Sequence, residues 1–230
     1  ADRAGYLTII SKSGVPQGAN ASVSKLQRLT SDTLQYGVGQ LAGMLSLMGF
    51  LAVLARLLPK DEFGKIDLFL AFFISILPAL VSMGTEGSLK LLYFDEITVV
   101  GRARLIGTNL VHRLSGATLL GALVALSIPA LPEVGRVPPV DAALLGLTLI
   151  AYVCLGFLTD LCRLKFRPTT YVLTYALQAL IFVSVSLVWL RMPEHISSFD
   201  DAMGPLLAGF ALPAAVGLYL LRRDLTVSFD

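Results

Sequence analysis

Six long apolar stretches occupy most of the chain and leave its charged residues in the gaps between them. The stretches lie at 34–58, 67–93, 105–131, 139–162, 169–190 and 202–221. Each is about long enough to cross a hydrocarbon core of ~30 Å as a helix that rises about 1.5 Å per residue. Because lipid offers no hydrogen bonds, a crossing segment must pair its backbone groups internally, as an α-helix does. The sequence therefore predicts an all-α integral membrane protein, a bundle of six transmembrane helices.

The composition agrees with a membrane protein and excludes several other classes. Hydrophobic residues make up 55% of the chain and charged residues 15%, with a mean hydropathy of +0.75. A soluble domain carries about 25% charged residues. The net charge of +2 is too small to indicate nucleic-acid binding. Cys154 and Cys162 fit no metal-ligand spacing, and the two histidines form no cluster, so we expect neither a metal nor a cofactor.

The charge distribution predicts the orientation of the chain in the membrane. Residues 1–30 are polar, lack the apolar core of a signal peptide and are predicted to form a disordered cytoplasmic tail. With the N-terminus in the cytoplasm, eleven Lys and Arg residues fall in cytoplasmic segments and five on the opposite side. Cytoplasmic loops carry such an excess of positive residues. We therefore expect both termini to be cytoplasmic.

Polar side chains inside the stretches gather toward the predicted cytoplasmic side. Glu86 and Lys90 are four residues apart on the second helix, as are Asn109 and Arg113 on the third, so each pair shares one face. A charge in a membrane helix costs about 2.5–3.5 kcal/mol on insertion scales and requires water or a partner. This one-sided polarity predicts a hydrated cavity open to the cytoplasm.

The candidate residues of this cavity come from five helices. The candidate substrate-binding residues are Tyr36, Gln40, Glu86, Lys90, Asn109, Arg113, Arg163 and Gln178. The candidate ion-coupling residues are Glu86 and Asp160.

The charged candidates allow more than one interpretation. Glu86 and Lys90 either form a mutual ion pair that holds the second helix against the third, or Lys90 and Arg113 attract an anionic head group that Glu86 positions. Lys90 also has the length to reach the membrane surface by itself. Asp160 is expected to pair locally with Arg163.

Proline and glycine mark places where helices bend or pack closely. Pro78 and Gly84 interrupt the second stretch just before Glu86. Gly39 and Gly43 form a GxxxG pattern on the first helix, which favours close helix packing. The basic run at 163–167 is typical of a cytoplasmic anchor, or it contacts a phosphate at the mouth of the cavity.

Several catalytic signatures are missing from the sequence. It has no Gly-rich phosphate loop, no metal-binding His/Glu motif and no Ser/His/Asp set. We therefore expect that the protein is not an enzyme, and a polar cavity without catalytic groups favours transport.

Four segments of the chain, in their order and spacing, carry a resemblance to a known family: Ser31–Leu41, Leu54–Gly64, Met83–Asp95 and Cys162–Arg167. They resemble segments of polysaccharide and O-antigen flippases of the multidrug/oligosaccharidyl-lipid/polysaccharide exporter superfamily. In those proteins the similar segments are the opening of the first helix, the first outer loop, the end of the second helix and the basic turn between helices 4 and 5. The resemblance covers about residues 31–230.

This resemblance implies a fold, a cargo and a membrane. These flippases place two lobes around a central cavity and move undecaprenyl-pyrophosphate-linked glycans from the inner to the outer leaflet by alternating access. Basic cavity residues meet the pyrophosphate, and Lys90 stands where many relatives carry Arg. Six helices correspond to one lobe, so we expect an N-terminal fragment, or a half-transporter that forms a homo-oligomer. The expected location is the bacterial cytoplasmic membrane, in lipopolysaccharide biosynthesis.

Two other functions stay open at this point. A cation-coupled drug or metabolite exporter of the same superfamily would use Glu86 or Asp160 as its ion site. A non-transporting membrane scaffold in glycan assembly would have no need for polar faces on five helices. The inner polar faces hold more basic than acidic residues, which favours an anionic cargo.

Overall fold

The computed structural model describes residues 18–127 and 137–222, with side chains from residue 30 onward except those of Phe73, Ser75, Glu86 and His195. Over these residues the chain forms helices and no strand. The helices are α1 (Gly18–Leu57), α2 (Lys60–Leu70), α3 (Leu77–Ser82), α4 (Thr85–Asp95), α5 (Val99–Ser127), α6 (Pro139–Leu164), α7 (Pro168–Arg191) and α8 (Phe199–Leu221). A π-helix (Ala71–Ile76) joins α2 to α3, and a short 3-10 turn (Pro193–His195) follows α7. The predicted tail residues 1–17, and the predicted end of the third stretch at 128–131, lie outside the described residues.

Five helices are long and apolar enough to cross a membrane: α1 from Thr30, α5, α6, α7 and α8. Much of their apolar surface faces outward. On α5, Leu119, Leu123 and Leu126 lie on one face and are 72%, 60% and 79% exposed. Such a row of leucines suits lipid, which solvates apolar side chains. The chain is therefore an all-α, multi-pass membrane protein, and the predicted count of six continuous helices is supported for five.

The second apolar stretch forms several short helices instead of one. Pro78 has no backbone N–H and its ring crowds the preceding turn, and the helix widens into the π-helix just before it. Met83 and Gly84 then adopt left-handed backbone conformations, with φ of 42° and 79°, which ends α3. The continuous helix predicted for 67–93 is corrected accordingly, while Pro78 and Gly84 are the interruptions that the sequence indicated.

The first helix begins earlier than the sequence predicted. Residues 18–30, which we expected to be disordered, continue α1 toward the N-terminus. This segment contains Ala, Leu, Lys, Gln and Arg, which all have high helix propensity. The apolar part of α1 supplies a helix already formed, so extending it avoids the cost of a new nucleus.

Helix α6 lies at the centre of the bundle. In an apolar segment of 18 residues within α6, 67% of the residues are buried, against 22–39% in the corresponding segments of the other four membrane-crossing helices. It packs against α5 and α8, and α7 packs against α1 and α8. At the crossing of α5 and α6, a Cβ added to Gly146 would lie 2.6 Å from the Gly121 carbonyl oxygen. Only glycine therefore permits this backbone approach.

The GxxxG pattern of α1 lies against α7. A Cβ at Gly39 would lie 3.1 Å from the ring of Tyr171, and one at Gly43 would overlap the ring of Tyr175. The two glycines thus form a groove that receives two tyrosines, as expected for small residues at a helix contact.

The starts of α2 and α8 are tied together at one end of the bundle. Glu62 Oε2 accepts a hydrogen bond from the Phe199 backbone N–H at 2.9 Å, and Glu62 Oε1 accepts one from Lys65 Nζ at 2.6 Å. Both bonds lower the pKa of the Glu62 carboxyl, and the bond from Lys65 has the larger effect. Ser198 and Asp201 form a capping box that satisfies the first N–H groups of α8.

Candidate functional site

Two cationic side chains, from α4 and α5, meet the carboxylate of Asp160 on α6. Arg113 of α5 donates from Nη1 to Asp160 Oδ2 at 3.1 Å, and Lys90 Nζ of α4 lies 3.4 Å from Asp160 Oδ1. The side chains of Arg113 and Asp160 are 3% and 9% exposed, while that of Lys90 is 45% exposed. We call these residues the charge cluster. A buried charge needs a partner, and here one carboxylate serves two cations.

The charge cluster corrects the predicted local partner of Asp160. The sequence placed Asp160 beside Arg163, one turn along the same helix. The side chains of residues three apart on a helix point in directions about 60° apart around its axis, so they can contact different neighbouring helices. Asp160 faces Lys90 and Arg113, whereas Arg163 faces α1 and α7. The proposed Glu86–Lys90 pair stays a prediction, because the Glu86 side chain is outside the described set.

Arg163 organises a second group of polar contacts on the other flank of α6. It donates from Nη2 to Gln40 Oε1 at 3.0 Å and to the Tyr171 hydroxyl at 2.7 Å. Tyr36 donates its hydroxyl hydrogen to the Cys162 carbonyl at 3.1 Å, and its ring meets that of Tyr171 edge-on. These contacts join α1, α6 and α7, and we call Tyr36, Gln40, Arg163 and Tyr171 the tyrosine cluster.

Two amide side chains complete the predicted set, one on each flank. Asn109 of α5 donates from Nδ2 to the carbonyl of Thr85, the first residue of α4, at 3.3 Å. Gln178 of α7 is 4% exposed and faces α1, where a Cβ at Gly43 would lie 3.1 Å from its Oε1. Among the described residues, Asn109 Oδ1 and Gln178 Oε1 have no hydrogen-bond partner. Both acceptors are therefore able to take a further donor.

The predicted residues divide into two groups. Lys90, Asn109, Arg113 and Asp160 lie between α4, α5 and α6, while Tyr36, Gln40, Arg163 and Gln178 lie near α1, α6 and α7. The sequence predicted that all of them line one cavity. A single sequence does not show toward which neighbouring helix a polar face points, so the division was not predictable. Central helix α6 separates the groups.

A cavity of about 120 Å³ adjoins the charge cluster where the second stretch is interrupted. Its lining includes Pro78 and Ser82 of α3, Arg113 of α5 and Tyr152 of α6. Pockets that enclose a drug-sized ligand measure about 300–1,000 Å³, so this cavity holds only a small group by itself.

Sequence reasoning missed Tyr171 and Thr85. Tyr171 is fully buried, accepts from Arg163 and packs on Tyr36. Tyr171 stands three residues before Thr174 and seven before Gln178, on the polar face of α7. This helical spacing could have indicated Tyr171 as a member of the site. No sequence signal indicated Thr85. Its backbone carbonyl accepts the hydrogen bond from Asn109 because α4 begins at this residue.

Comparisons of the chain with protein-family models, with curated proteins and with solved structures find no match.

Proposed function

We propose that the chain forms one lobe of a transporter that moves lipid-linked oligosaccharide or polysaccharide repeat units from the inner to the outer leaflet by alternating access. In this proposal the interrupted second stretch is the sixth membrane crossing. The protein resides in the bacterial cytoplasmic membrane with both termini inside and catalyses no reaction. A second lobe, from the same polypeptide or from a second copy, completes the cavity.

The charge cluster is the observation that supports this proposal most. Lys90, Arg113 and Asp160 together carry a formal excess of one positive charge, a sum that leaves out Glu86, whose side chain lies outside the described residues. A pyrophosphate is an anion that such an excess attracts, and a low local dielectric strengthens that attraction. Lys90 is the accessible member, at 45% exposure, and we assign it the first contact with the anionic group. Arg113 is nearly enclosed and acts by holding Asp160.

The interruption before α4 supports a moving part. Lys90 stands on α4, which is joined to α3 by the left-handed residues Met83 and Gly84. A helix break lets one piece change direction while the other stays packed. In this proposal, displacement of α4 during the alternating-access cycle carries Lys90 away from Asp160.

The cation-coupled exporter is less well supported. Asp160 Oδ1 lies beside Lys90 and Asp160 Oδ2 beside Arg113, so both oxygens already face cations. A coupling cation at this carboxylate would be repelled by both. Glu86 stays a candidate for coupling from the sequence.

Replacement of Lys90 in the chromosomal gene tests the proposal. Lys90→Ala should reduce the amount of surface polysaccharide strongly without lowering the amount of protein in the membrane. Lys65→Ala is a matched control, because Lys65 also pairs with a carboxylate but lies at the opposite end of the bundle, beside Glu62. Unchanged surface polysaccharide in the Lys90→Ala strain would remove Lys90 from the mechanism.

Labelling of Lys90→Cys with a charged, water-soluble maleimide separates a transporter from a solid scaffold. A transport cavity admits water to this position, so labelling should occur from the cytoplasmic side. A scaffold whose lobes close on this face would protect the cysteine. The native Cys154 and Cys162 are buried and give a low background.

A further inference from the structure

A cleft of about 350 Å³ lies at one end of the bundle, where the α4–α5 connection meets the turn between α6 and α7. It is separate from the charge cluster and shares no residue with it. Its lining combines cationic and aromatic side chains, namely Arg102, Lys165 and Arg167 with Tyr93, Phe94 and Phe166, above Leu164. We call it the basic cleft.

Arg102 is held in place from two directions. Its Nε donates to the Glu96 carbonyl at 2.7 Å, and its guanidinium carbon lies 5.3 Å from the centre of the Tyr93 ring. The Glu96 carboxylate accepts from the Thr98 N–H and hydroxyl at 2.9 and 2.6 Å, bonds that lower its pKa. The carboxylate of Glu96 is therefore hydrogen-bonded to Thr98, the residue that precedes α5.

The α6–α7 turn uses a phenylalanine where glycine is the usual residue. Lys165 N donates to the Leu161 carbonyl at 2.9 Å and Arg167 N to the Cys162 carbonyl at 2.8 Å, which closes the end of α6. Phe166 between them has φ of 51° and is 65% exposed. A bulky residue in this left-handed conformation costs on the order of 1–2 kcal/mol. The strained turn exposes the side chain of the residue that stands between Lys165 and Arg167 in the sequence.

We propose that the basic cleft binds the phosphate group of an anionic membrane lipid. The cleft lies at the ends of membrane-crossing helices, which is the depth of the head groups. Arginine and lysine form charge-assisted hydrogen bonds with phosphate, and aromatic rings favour the interface between head groups and acyl chains. The volume is that of a small-ligand pocket. Because a soluble phosphate ester carries the same chemistry, the test must distinguish the two sources.

Native mass spectrometry of the detergent-solubilised protein tests the proposal with dioleoyl-phosphatidylglycerol and dioleoyl-phosphatidylcholine. The wild-type protein should retain phosphatidylglycerol preferentially. The combined variant Arg102→Gln, Lys165→Gln, Arg167→Gln should lose about tenfold in relative affinity, since each cation near an anionic surface contributes to attraction. A matched control is Arg56→Gln, Lys60→Gln, Arg191→Gln, which removes three cations from the other end of the bundle and should change retention less than twofold. Equal retention by all three proteins would overturn the proposal.

Competition identifies the source of the phosphate. If the ligand is a lipid, millimolar glycerol 3-phosphate should leave phosphatidylglycerol bound. Displacement by glycerol 3-phosphate in the wild-type protein, and no binding of it by the triple variant, would support the phosphate site and assign it to a soluble ester. A wild-type protein that binds neither probe would reject it.

Phe166→Gly provides a test that does not depend on charge or on loss of folding. Glycine accepts the left-handed conformation without strain, so the melting temperature should rise or stay constant. Loss of the ring should reduce phosphatidylglycerol retention two- to fivefold. A stabilised variant with unchanged retention would contradict the role given to the ring.

Discussion

Arg113 and Asp160, 47 residues apart in the sequence, face each other across the α5–α6 interface with 3.1 Å between Nη1 and Oδ2. Both side chains are almost completely enclosed. Removing one partner of a buried pair leaves the other charge uncompensated, which costs about 3–5 kcal/mol, whereas replacing both with apolar residues is often neutral. The pair is therefore open to a decisive double-mutant test.

Asp160→Leu should lower the unfolding free energy by about 3–5 kcal/mol, because it removes one partner of the enclosed Arg113–Asp160 pair. Arg113→Met combined with Asp160→Leu should recover most of that loss. Chemical denaturation in detergent of the wild type, Asp160→Leu, Arg113→Met and the double variant measures the coupling. Additive effects in the double variant would show that the two residues act independently.

Gly146→Ala should destabilise the protein by about 1–3 kcal/mol, because the new methyl group meets the Gly121 carbonyl of α5 and the helices must move apart. Gly49→Ala in α1 is the matched control, since a Cβ there meets nothing within 4 Å. Melting temperatures in detergent measure the difference. Equal effects at the two sites would mean that α5 and α6 do not approach closely at this point.

Gly84→Ala should lower the stability of the protein, whereas Gly87→Ala should not. Gly84 has φ of 79°, where alanine is strained, so its substitution should cost about 1 kcal/mol. Gly87 lies three residues later inside α4 with no close neighbour, and alanine there should be neutral or stabilising by up to about 1 kcal/mol. Thermal unfolding of both variants checks the break before α4. A stabilising Gly84→Ala would indicate that α3 and α4 form one helix.

The Glu62 carboxylate should stabilise the protein in a pH-dependent way. Its folded-state pKa is lowered by bonds to Lys65 and the Phe199 N–H, so the folded state binds fewer protons than the unfolded state near that pKa. Its contribution is thus present above the ordinary carboxyl pKa and is lost as the pH falls through the lowered value. The gap in melting temperature between the wild type and Glu62→Gln should narrow on acidification from pH 7 and correspond to less than about 1 kcal/mol. A gap that is constant with pH would contradict this origin.

Hydropathy was sufficient for the parts of the fold that depend on one segment alone. Length and apolar content predicted the five continuous crossing helices, and Pro78 with Gly84 indicated where the second stretch is interrupted. Those features follow from lipid solvation and from backbone chemistry, which act locally. The helical start of α1 was missed because polar composition outweighed the helix propensity of residues 18–30.

Partners between helices were not predictable in the same way. Asp160 had Arg163 within reach on its own helix, yet the position of α6 between α5 and α7 gives each residue a different neighbour. Likewise nothing in the sequence indicated that Gly121 would meet Gly146. Such pairings depend on how helices are rotated about their axes, which a single sequence with no contact information does not determine.

Helix α6 holds Asp160 on one flank and Arg163 on the other, only one turn apart. A small rotation of α6 about its own axis would lengthen the ionic contacts with α4 and α5 while altering the hydrogen bonds that Gln40 and Tyr171 form with Arg163. Both flanks would therefore respond to the same movement of α6, so a ligand that rotated α6 from one side would change the polar contacts on the other.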